Sequence, residues 1–385
     1  MTLDHIAVVG ASAAGNTAAH TLRRAGFAGR ITVIGAERHP PYDRPPLTKQ
    51  FLTGAWTPQR LQLPAAAEVF WRLGVTATGL DTQAGVVLLD DGSHLAYDGL
   101  VIATGVAPRR LPFGVGLAGI HYIRTLDDTL SLREDLLSST DLVVVGAGFL
   151  GAEAAAAART LGKSVTLIEQ HDGVMTAQLG PATGALLTRL HEEHGVNVLT
   201  GRGVTSFTGA EGRVTGVALT DGSSLPAETV LVAIGSVPAT GWLTGSGLSV
   251  TDGVDCDVFL QAGPRIVAAG DVANWPHPTY RRRLRLEHRM NATEQAAQAA
   301  RTLLGDRQHF APVPYFWTDQ YDNKIQAYGH WGPEAEFKVA EGSTSRGAFI
   351  ATLHEQGSLA GILAWNMPRQ LRQLRETITM QQTLE

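Results

Sequence analysis

Two stretches of the chain share one pattern of apolar and polar positions. HIAVVGASAAGNTAAHTLRRAG (5–26) runs on to RITVIGAE (30–37), and DLVVVGAGFLGAEAAAAARTLG (141–162) runs on to SVTLIEQ (164–170). In each, an unbroken apolar run predicts a strand buried on both faces. A glycine-rich turn, an alanine-rich helix and a second apolar strand ending in glutamate follow. A β-turn-α-β unit of this kind starts a doubly wound parallel sheet. The two units lie too far apart for a small repeat, so two separate dinucleotide domains are expected.

Three further apolar runs end on glycine. LAYDGLVIATGVAPRRLP (95–112) and LPAETVLVAIGSVPAT (225–240) each close a strand on Ala-x-Gly, at Ala103, Thr104 and Gly105 and at Ala233 and Gly235. PRIVAAGDVANWP (264–276) ends a strand on Gly270 and Asp271. The simplest topology inserts the second domain into the first. Residues 1–108 and 228–309 would form the first domain and 109–227 the second. Residues 310–385, richer in aromatics, would add a small α+β domain.

At 44% hydrophobic and 17% charged, the chain of 385 residues is able to bury a large core. Its net charge of −5, from 31 basic and 36 acidic residues, argues against bulk nucleic-acid binding. No apolar stretch reaches the ~18 residues of a membrane span, and MTLDHIAVVG lacks the features of a signal peptide. A cytoplasmic location is the expectation. The single cysteine, Cys256, excludes an internal disulfide or a redox pair. The scattered histidines offer no metal-ligand spacing.

The second turn reads Gly146-x-Gly148-x-x-Gly151. Gly146 permits the tight turn, Gly148 lets a pyrophosphate approach the backbone, and Gly151 lets the helix pack close. The helix N-terminus then faces the phosphates. Glu169, ending the next strand, suits ribose hydroxyls and repels a 2′-phosphate, so NADH is expected over NADPH. The first turn, Gly10-x-Ser12-x-x-Gly15, departs at its middle position, and Glu37 ends its paired strand. FAD and NADH together account for two nucleotide sites in one chain, because a flavin takes hydride from a nicotinamide.

The ordered set GxSxxG, PYDRPPLTK (41–49), ATG, GxGxxG, AAGD, EHRMNA (287–292) and PYFWTDQ (314–320) resembles the FAD-dependent ferredoxin reductases, the putidaredoxin, rhodocoxin and rubredoxin reductase group that serves bacterial dioxygenases and cytochromes P-450. The resemblance spans nearly the whole chain. It implies a glutathione-reductase-like fold: an FAD domain, an inserted NADH domain and a C-terminal domain. It also implies roles. Ala13, Ala14 and Glu37 would line the FAD phosphates and ribose, Ala77 would meet adenine through its backbone, and Arg44 and Arg124 are further FAD positions. Asp271 would bind the ribityl chain, and Glu287, His288 and Arg289 would approach the ring. Arg289 stands where many relatives carry an aromatic or aliphatic residue.

Lys49 would sit beside the flavin with Glu153 as its ion-pair partner, offsetting the charge of the reduced ring. Phe149 and Leu150, opening the second helix, would lie near the flavin and nicotinamide, and Trp317 would approach from the C-terminal domain. With no thiol placed to relay electrons, they would pass directly to an acceptor, a ferredoxin or rubredoxin. Such proteins are usually acidic, and Arg281, Arg282, Arg283 and Arg285 are the candidate docking patch, with Arg369, Arg372 and Arg375 as a second. A small-molecule reductase acting on monodehydroascorbate or quinones, and an NADH-sensing flavoprotein like apoptosis-inducing factor, are the alternatives. The chain would be a monomer or a homodimer.

Overall fold

The computed structural model describes residues 3–374, which divide into two compact units. The first runs to Asp43 and adds Leu61–Ala107 and Val237–Pro312. The second comprises Arg44–Arg60, Pro108–Ser236 and the chain from Val313 onward.

In the first unit β1 (His5–Val9), α1 (Ala13–Arg24) and β2 (Arg30–Gly35) form the first β-turn-α-β unit. Six strands pair in the order Gln261–Gly263, Ile266–Ala268, Gly99–Ile102, β1, β2, Phe70–Leu73. All neighbours are parallel except the Gln261–Gly263 edge pair. The central strands carry no exposed apolar side chain, because α1 and the helix Arg289–Leu303 pack on the sheet and the antiparallel strands of residues 77–96 add Leu80, Val87, Leu89 and Leu95 to the same core. Ile6, Val8, Ile31, Val33, Leu100 and Ile102 are fully buried. The helix Arg289–Leu303 presents Ala296, Ala299 and Ala300 to this core, and small side chains let it pack close.

In the second unit β3 (Asp141–Val145), α2 (Phe149–Thr160) and β4 (Ser164–Ile168) repeat the unit. Their parallel sheet has the order Val196–Leu199, β4, β3, Val230–Val232, Ile120–His121. α3 (Pro181–Glu193) precedes its edge strand. A five-stranded antiparallel sheet follows, led by β5 (Tyr315–Gln320) and closed at the far edge by Glu336–Ser343.

The domain boundary expected at 227 needs correction. Val230–Val232 is not a strand of the first unit: Val230, Leu231 and Val232 pair with Val143, Val144 and Val145 of β3. The apolar run 230–232 is buried on both faces, and a strand of that kind needs a parallel neighbour. Residues 44–60 likewise pack with the second unit. No helix among the described residues is long and apolar enough to cross a membrane.

Candidate functional site

Two turns of the same construction stand at the C-terminal ends of the two parallel sheets. In the first unit Gly10 has φ +115°, and its amide donates to the Ile34 carbonyl at 2.8 Å. A Cβ on Gly10 would lie 2.0 Å from the Ala103 oxygen, and one on Gly15 would lie 1.8 Å from the Gly10 oxygen. These two glycines are therefore demanded by the packing of strand against strand and helix against turn. Ser12 caps α1 by position only, with no side-chain hydrogen bond, and the first turn holds no acid. Ala13 and Ala14 keep that turn small.

Around this turn the sheet brings together Ala103–Gly105, Gly270 and Glu37, whose carboxylate accepts from the Tyr42 hydroxyl. Gly270 donates its amide to Gln295 Oε1 at 2.8 Å, and Thr104 Oγ1 donates to the Ala239 carbonyl at 2.9 Å. Asp271 follows Gly270 directly. Ala77 sits apart from the parallel sheet, on the antiparallel strand Ala77–Asp81. Glu287 pairs with Arg285 at 2.6 Å, and His288 is the N-cap of the helix that Arg289 opens. The Arg289 guanidinium donates to the Asp43 carboxylate and to Thr293 Oγ1. Its charge is thus met by Asp43 of the PYDR segment.

In the second unit Gly146 has φ +98°, and a Cβ there would lie 2.4 Å from the Ala233 oxygen. A Cβ on Gly151 would lie 1.9 Å from the Gly146 oxygen. Gly148 differs: its Cβ would meet only the end of Gln178, at 3.4 Å. Nothing in the packing requires glycine at 148, and the absent side chain leaves the turn open to a ligand. Glu169 is buried. Its Oε2 accepts from the Ala147 amide at 2.7 Å and its Oε1 from the His171 amide at 2.9 Å. The expected ribose acceptor therefore also shapes the turn. Each of its oxygens keeps lone-pair capacity.

Both turns fit a pyrophosphate, as a contrast within the chain makes plain. The helix Leu126–Ser138 carries its own cap: Thr125 Oγ1 accepts from Asp128 N, the Asp128 carboxylate accepts from Thr125 N, and Asp127 adds a second acid to the first turn. Neither α1 nor α2 has a side-chain cap or an acid in its first turn. Their terminal N–H groups and positive dipole ends are left for an anion. Arg124, just before that capped helix, gives its amide to Asp128 at 3.0 Å.

The loop 44–49 lies in the second unit. Pro45 starts a short 3-10 turn, Pro45–Thr48, and ring-fixed φ angles stiffen it. Lys49 Nζ meets Glu153 Oε2 at 2.8 Å, with side chains 11% and 8% exposed. Thr48 Oγ1 donates to the same oxygen at 2.6 Å, and Thr318 Oγ1 donates to Glu153 Oε1 at 2.9 Å. Phe149 and Glu153 are one helical turn apart and share a face of α2. That face receives alternate residues of β5: Phe149 meets the Phe316 ring edge-on at 5.4 Å, and Glu153 meets Thr318. Trp317 has the opposite parity and stacks on Tyr315 at 5.9 Å. Sequence reading expected the Lys49–Glu153 pair, which the structure brings together, and did not name Thr48 and Thr318 beside it. The available signal was parity, since Phe316, Thr318 and Gln320 fall on one face of β5.

The four candidate docking arginines are not equivalent. Arg281 and Arg282 are exposed. Arg283 approaches Asp255 at 3.4 Å and donates to the Cys256 and Asn274 carbonyls. Arg285, only 13% exposed, is paired with both Asp252 and Glu287 and donates to the Asp271 carbonyl. It serves the first unit internally. Arg369 and Arg372 lie in a terminal helical segment, and Arg375 lies outside the described residues. Cys256 is buried, and burial pushes its thiol up to about 12, which leaves it unreactive.

Residues 4–299 match the pyridine nucleotide-disulphide oxidoreductase family, and residues 315–385 match the reductase C-terminal family. Rhodocoxin reductase of Rhodococcus erythropolis is 36% identical over 386 residues, covering 98% of this chain and 90% of that protein. The ferredoxin–NAD(+) reductase subunit of the benzene 1,2-dioxygenase system of Pseudomonas putida is 35% identical, covering 99% of this chain and 94% of its own. Among solved structures, the covalent putidaredoxin reductase–putidaredoxin complex superposes with a TM-score of 0.94 at 32% identity, covering 98% of this chain and 93% of that one. FAD and NAD(H) are the cofactors of these enzymes, and the two open turns have the donor chemistry that such dinucleotides need. With a family model over most of its length and relatives of this kind end to end, the chain belongs to the pyridine nucleotide-disulphide oxidoreductase family, in its ferredoxin reductase branch.

Proposed function

We propose that this protein takes electrons from NADH through FAD to an iron–sulfur ferredoxin, or a rubredoxin, that feeds a cytochrome P-450 or a ring-hydroxylating dioxygenase. One observation carries the reading: two glycine turns with uncapped helix ends in a chain whose relatives over full length are ferredoxin reductases. When bound, the cofactors supply hydride transfer from nicotinamide to flavin and release of single electrons to the acceptor.

The chain's own residues have separable tasks. The turn 10–15, with Glu37, Gly270 and Asp271, holds FAD. The turn 146–151, with Glu169 and the strand end at Ala233 and Gly235, holds NADH. Glu169 excludes the 2′-phosphate of NADPH by charge. Lys49 would offer a positive charge to the bound flavin, and Glu153 holds that ammonium in place. Because both side chains are nearly buried, the field of this pair is stronger than it would be in solution. Arg281 and Arg282 steer an acidic partner, Arg283 contributes less, and the paired Arg285 contributes little. We assign the reaction to the cytoplasm, where NADH is available.

The test is direct. Purified protein is expected to be yellow, to bleach within one turnover on NADH addition, and to reduce cytochrome c quickly only when a ferredoxin is added. Rapid turnover with quinone or monodehydroascorbate and none with any ferredoxin would favour the small-molecule alternative. Colourless protein that binds no FAD would end the reading.

A further inference from the structure

Behind Glu153 runs a buried chain of polar groups that the reaction scheme does not use. Tyr321 Oη lies 3.1 Å from His191 Nδ1, and His191 Nε2 lies 2.9 Å from Gln320 Oε1. Gln320 Nε2 lies 3.2 Å from Thr318 Oγ1, which lies 2.9 Å from Glu153 Oε1. His191 comes from α3, Thr318 and Gln320 from β5, and Tyr321 from the turn after it, where its backbone is left-handed at φ +53°. His191, Gln320 and Thr318 are fully buried.

The direction of every bond in the chain follows from its ends. A carboxylate accepts only, so Thr318 must donate to Glu153 and is left to accept from Gln320. The Gln320 amide nitrogen also faces Met175 Sδ at 3.3 Å, an acceptor, which puts its oxygen toward His191. His191 must then carry its proton on Nε2 and accept at Nδ1, and Tyr321 supplies that proton. The titration behaviour agrees. Burial holds His191 down at about 4 and therefore neutral; the hydrogen bond to Gln320 acts the other way, and the nearby His194 adds a smaller depression. Burial pushes the Tyr321 phenol up, which keeps it a donor, with Arg159 acting weakly the other way. The Tyr321 ring is fixed by stacking on His194 at 3.7 Å. Four bonds therefore point their donors the same way, toward one carboxylate, and aligned dipoles reinforce one another in a buried setting.

We propose that Tyr321, His191, Gln320 and Thr318 are positioning residues, a one-way hydrogen-bonded relay that holds the Glu153 carboxylate in one orientation and thereby sets the place of the Lys49 ammonium. The inference deepens the functional reading above by naming what stands behind its cation. It depends on that reading only for the use made of Lys49, not for the relay itself.

Two measurements on the FAD-loaded protein, with no NADH or acceptor added, test it apart from turnover. In the first, nitrogen-15 correlation spectra of labelled histidine report the His191 tautomer, its signal assigned by the shift caused by Tyr321→Phe. The Nε2–H form at pH 7 is expected. The Nδ1–H form, or a charged ring, would overturn the proposal, because Gln320 would then face the wrong partner. In the second, acetylation of Lys49 by acetic anhydride is followed by peptide mass spectrometry. Thr318→Val keeps the shape and removes the donor. It should raise the labelling rate about tenfold, the factor carried by about 1.4 kcal/mol and within the range of one charge-assisted bond. Thr318→Ser restores the donor and should return the rate to that of the unmodified protein. Equal labelling in all three proteins would overturn the relay. Failure of the protein to reduce any ferredoxin, with both measurements as expected, would count against the functional reading alone.

Discussion

Lys49 Nζ and Glu153 Oε2 stand 2.8 Å apart with both side chains nearly closed to water. A pair in that setting is not a surface decoration. Taking one member away leaves the other buried and unmatched. Lys49→Met should slow flavin reduction by NADH about a hundredfold, the scale of losing one preorganised charge. Glu153→Gln should cost about 3 kcal/mol of stability. Stopped-flow bleaching of the flavin and denaturant unfolding check the two halves separately.

The glycines of the second turn differ in kind. Gly151→Ala forces a Cβ to 1.9 Å from the Gly146 carbonyl oxygen, and unfolded or insoluble protein is the expected result. Gly148→Ala meets only the flexible end of Gln178 at 3.4 Å, so the protein should fold with its ordinary melting temperature. Its cost should fall on the ligand, as a rise in KM for NADH of about tenfold with kcat little changed. A melting curve and steady-state kinetics separate the cases.

Under the proposed function Glu169 has two tasks, coenzyme selection and support of the turn, that one substitution will expose together. Glu169→Ala removes the repulsion of a 2′-phosphate and orphans the Ala147 and His171 amides. The ratio of kcat/KM for NADPH to that for NADH should rise about tenfold, while stability falls by about 2 kcal/mol from the unpaired donors. Parallel assays with both coenzymes, and thermal unfolding, read the two effects.

His191 predicts an acid-labile fold. Its folded value is depressed to about 4, chiefly by burial, from an ordinary value of 6.5. Between these limits the unfolded chain binds the proton and the native state does not. Stability is therefore complete above about pH 6.5 and declines as pH falls toward 4, by on the order of 3 kcal/mol. His191→Gln should flatten that slope relative to the unmodified protein when unfolding is followed from pH 7 to pH 4.5.

Arg281→Glu with Arg282→Glu should raise the KM for ferredoxin about tenfold at low salt and leave NADH reduction of the flavin untouched. Arg285→Ala should do the reverse of a docking change. It breaks pairs with Asp252 and Glu287 and lowers stability, with little effect on the salt dependence of ferredoxin turnover. Stopped-flow kinetics at two ionic strengths distinguish these outcomes.

Much of this molecule was legible along the chain. Strand, turn and helix in each nucleotide unit follow from short-range facts: runs of buried β-formers, glycines where φ is positive or a Cβ would strike a carbonyl, and alanine where a helix packs close. At Gly15 and Gly151 the carbonyl lies five residues back. At Gly10 and Gly146 the positive φ is local, although the carbonyls a Cβ would strike, those of Ala103 and Ala233, are distant. The local part is what lets all four be read from the sequence. What the tertiary structure alone decided are the meetings of distant segments. Val230–Val232 pairs with β3 because a strand apolar on both faces takes whichever parallel edge is open, and its own letters do not name that edge. Arg285 turns inward because Asp252 and Glu287 happen to converge on it, whereas Arg281 and Arg282 remain exposed in the same run. Thr318, Gln320 and His191 stand behind Glu153 because β5 arrives against α2 in one register, and register is set by packing between elements rather than by the sequence of either one.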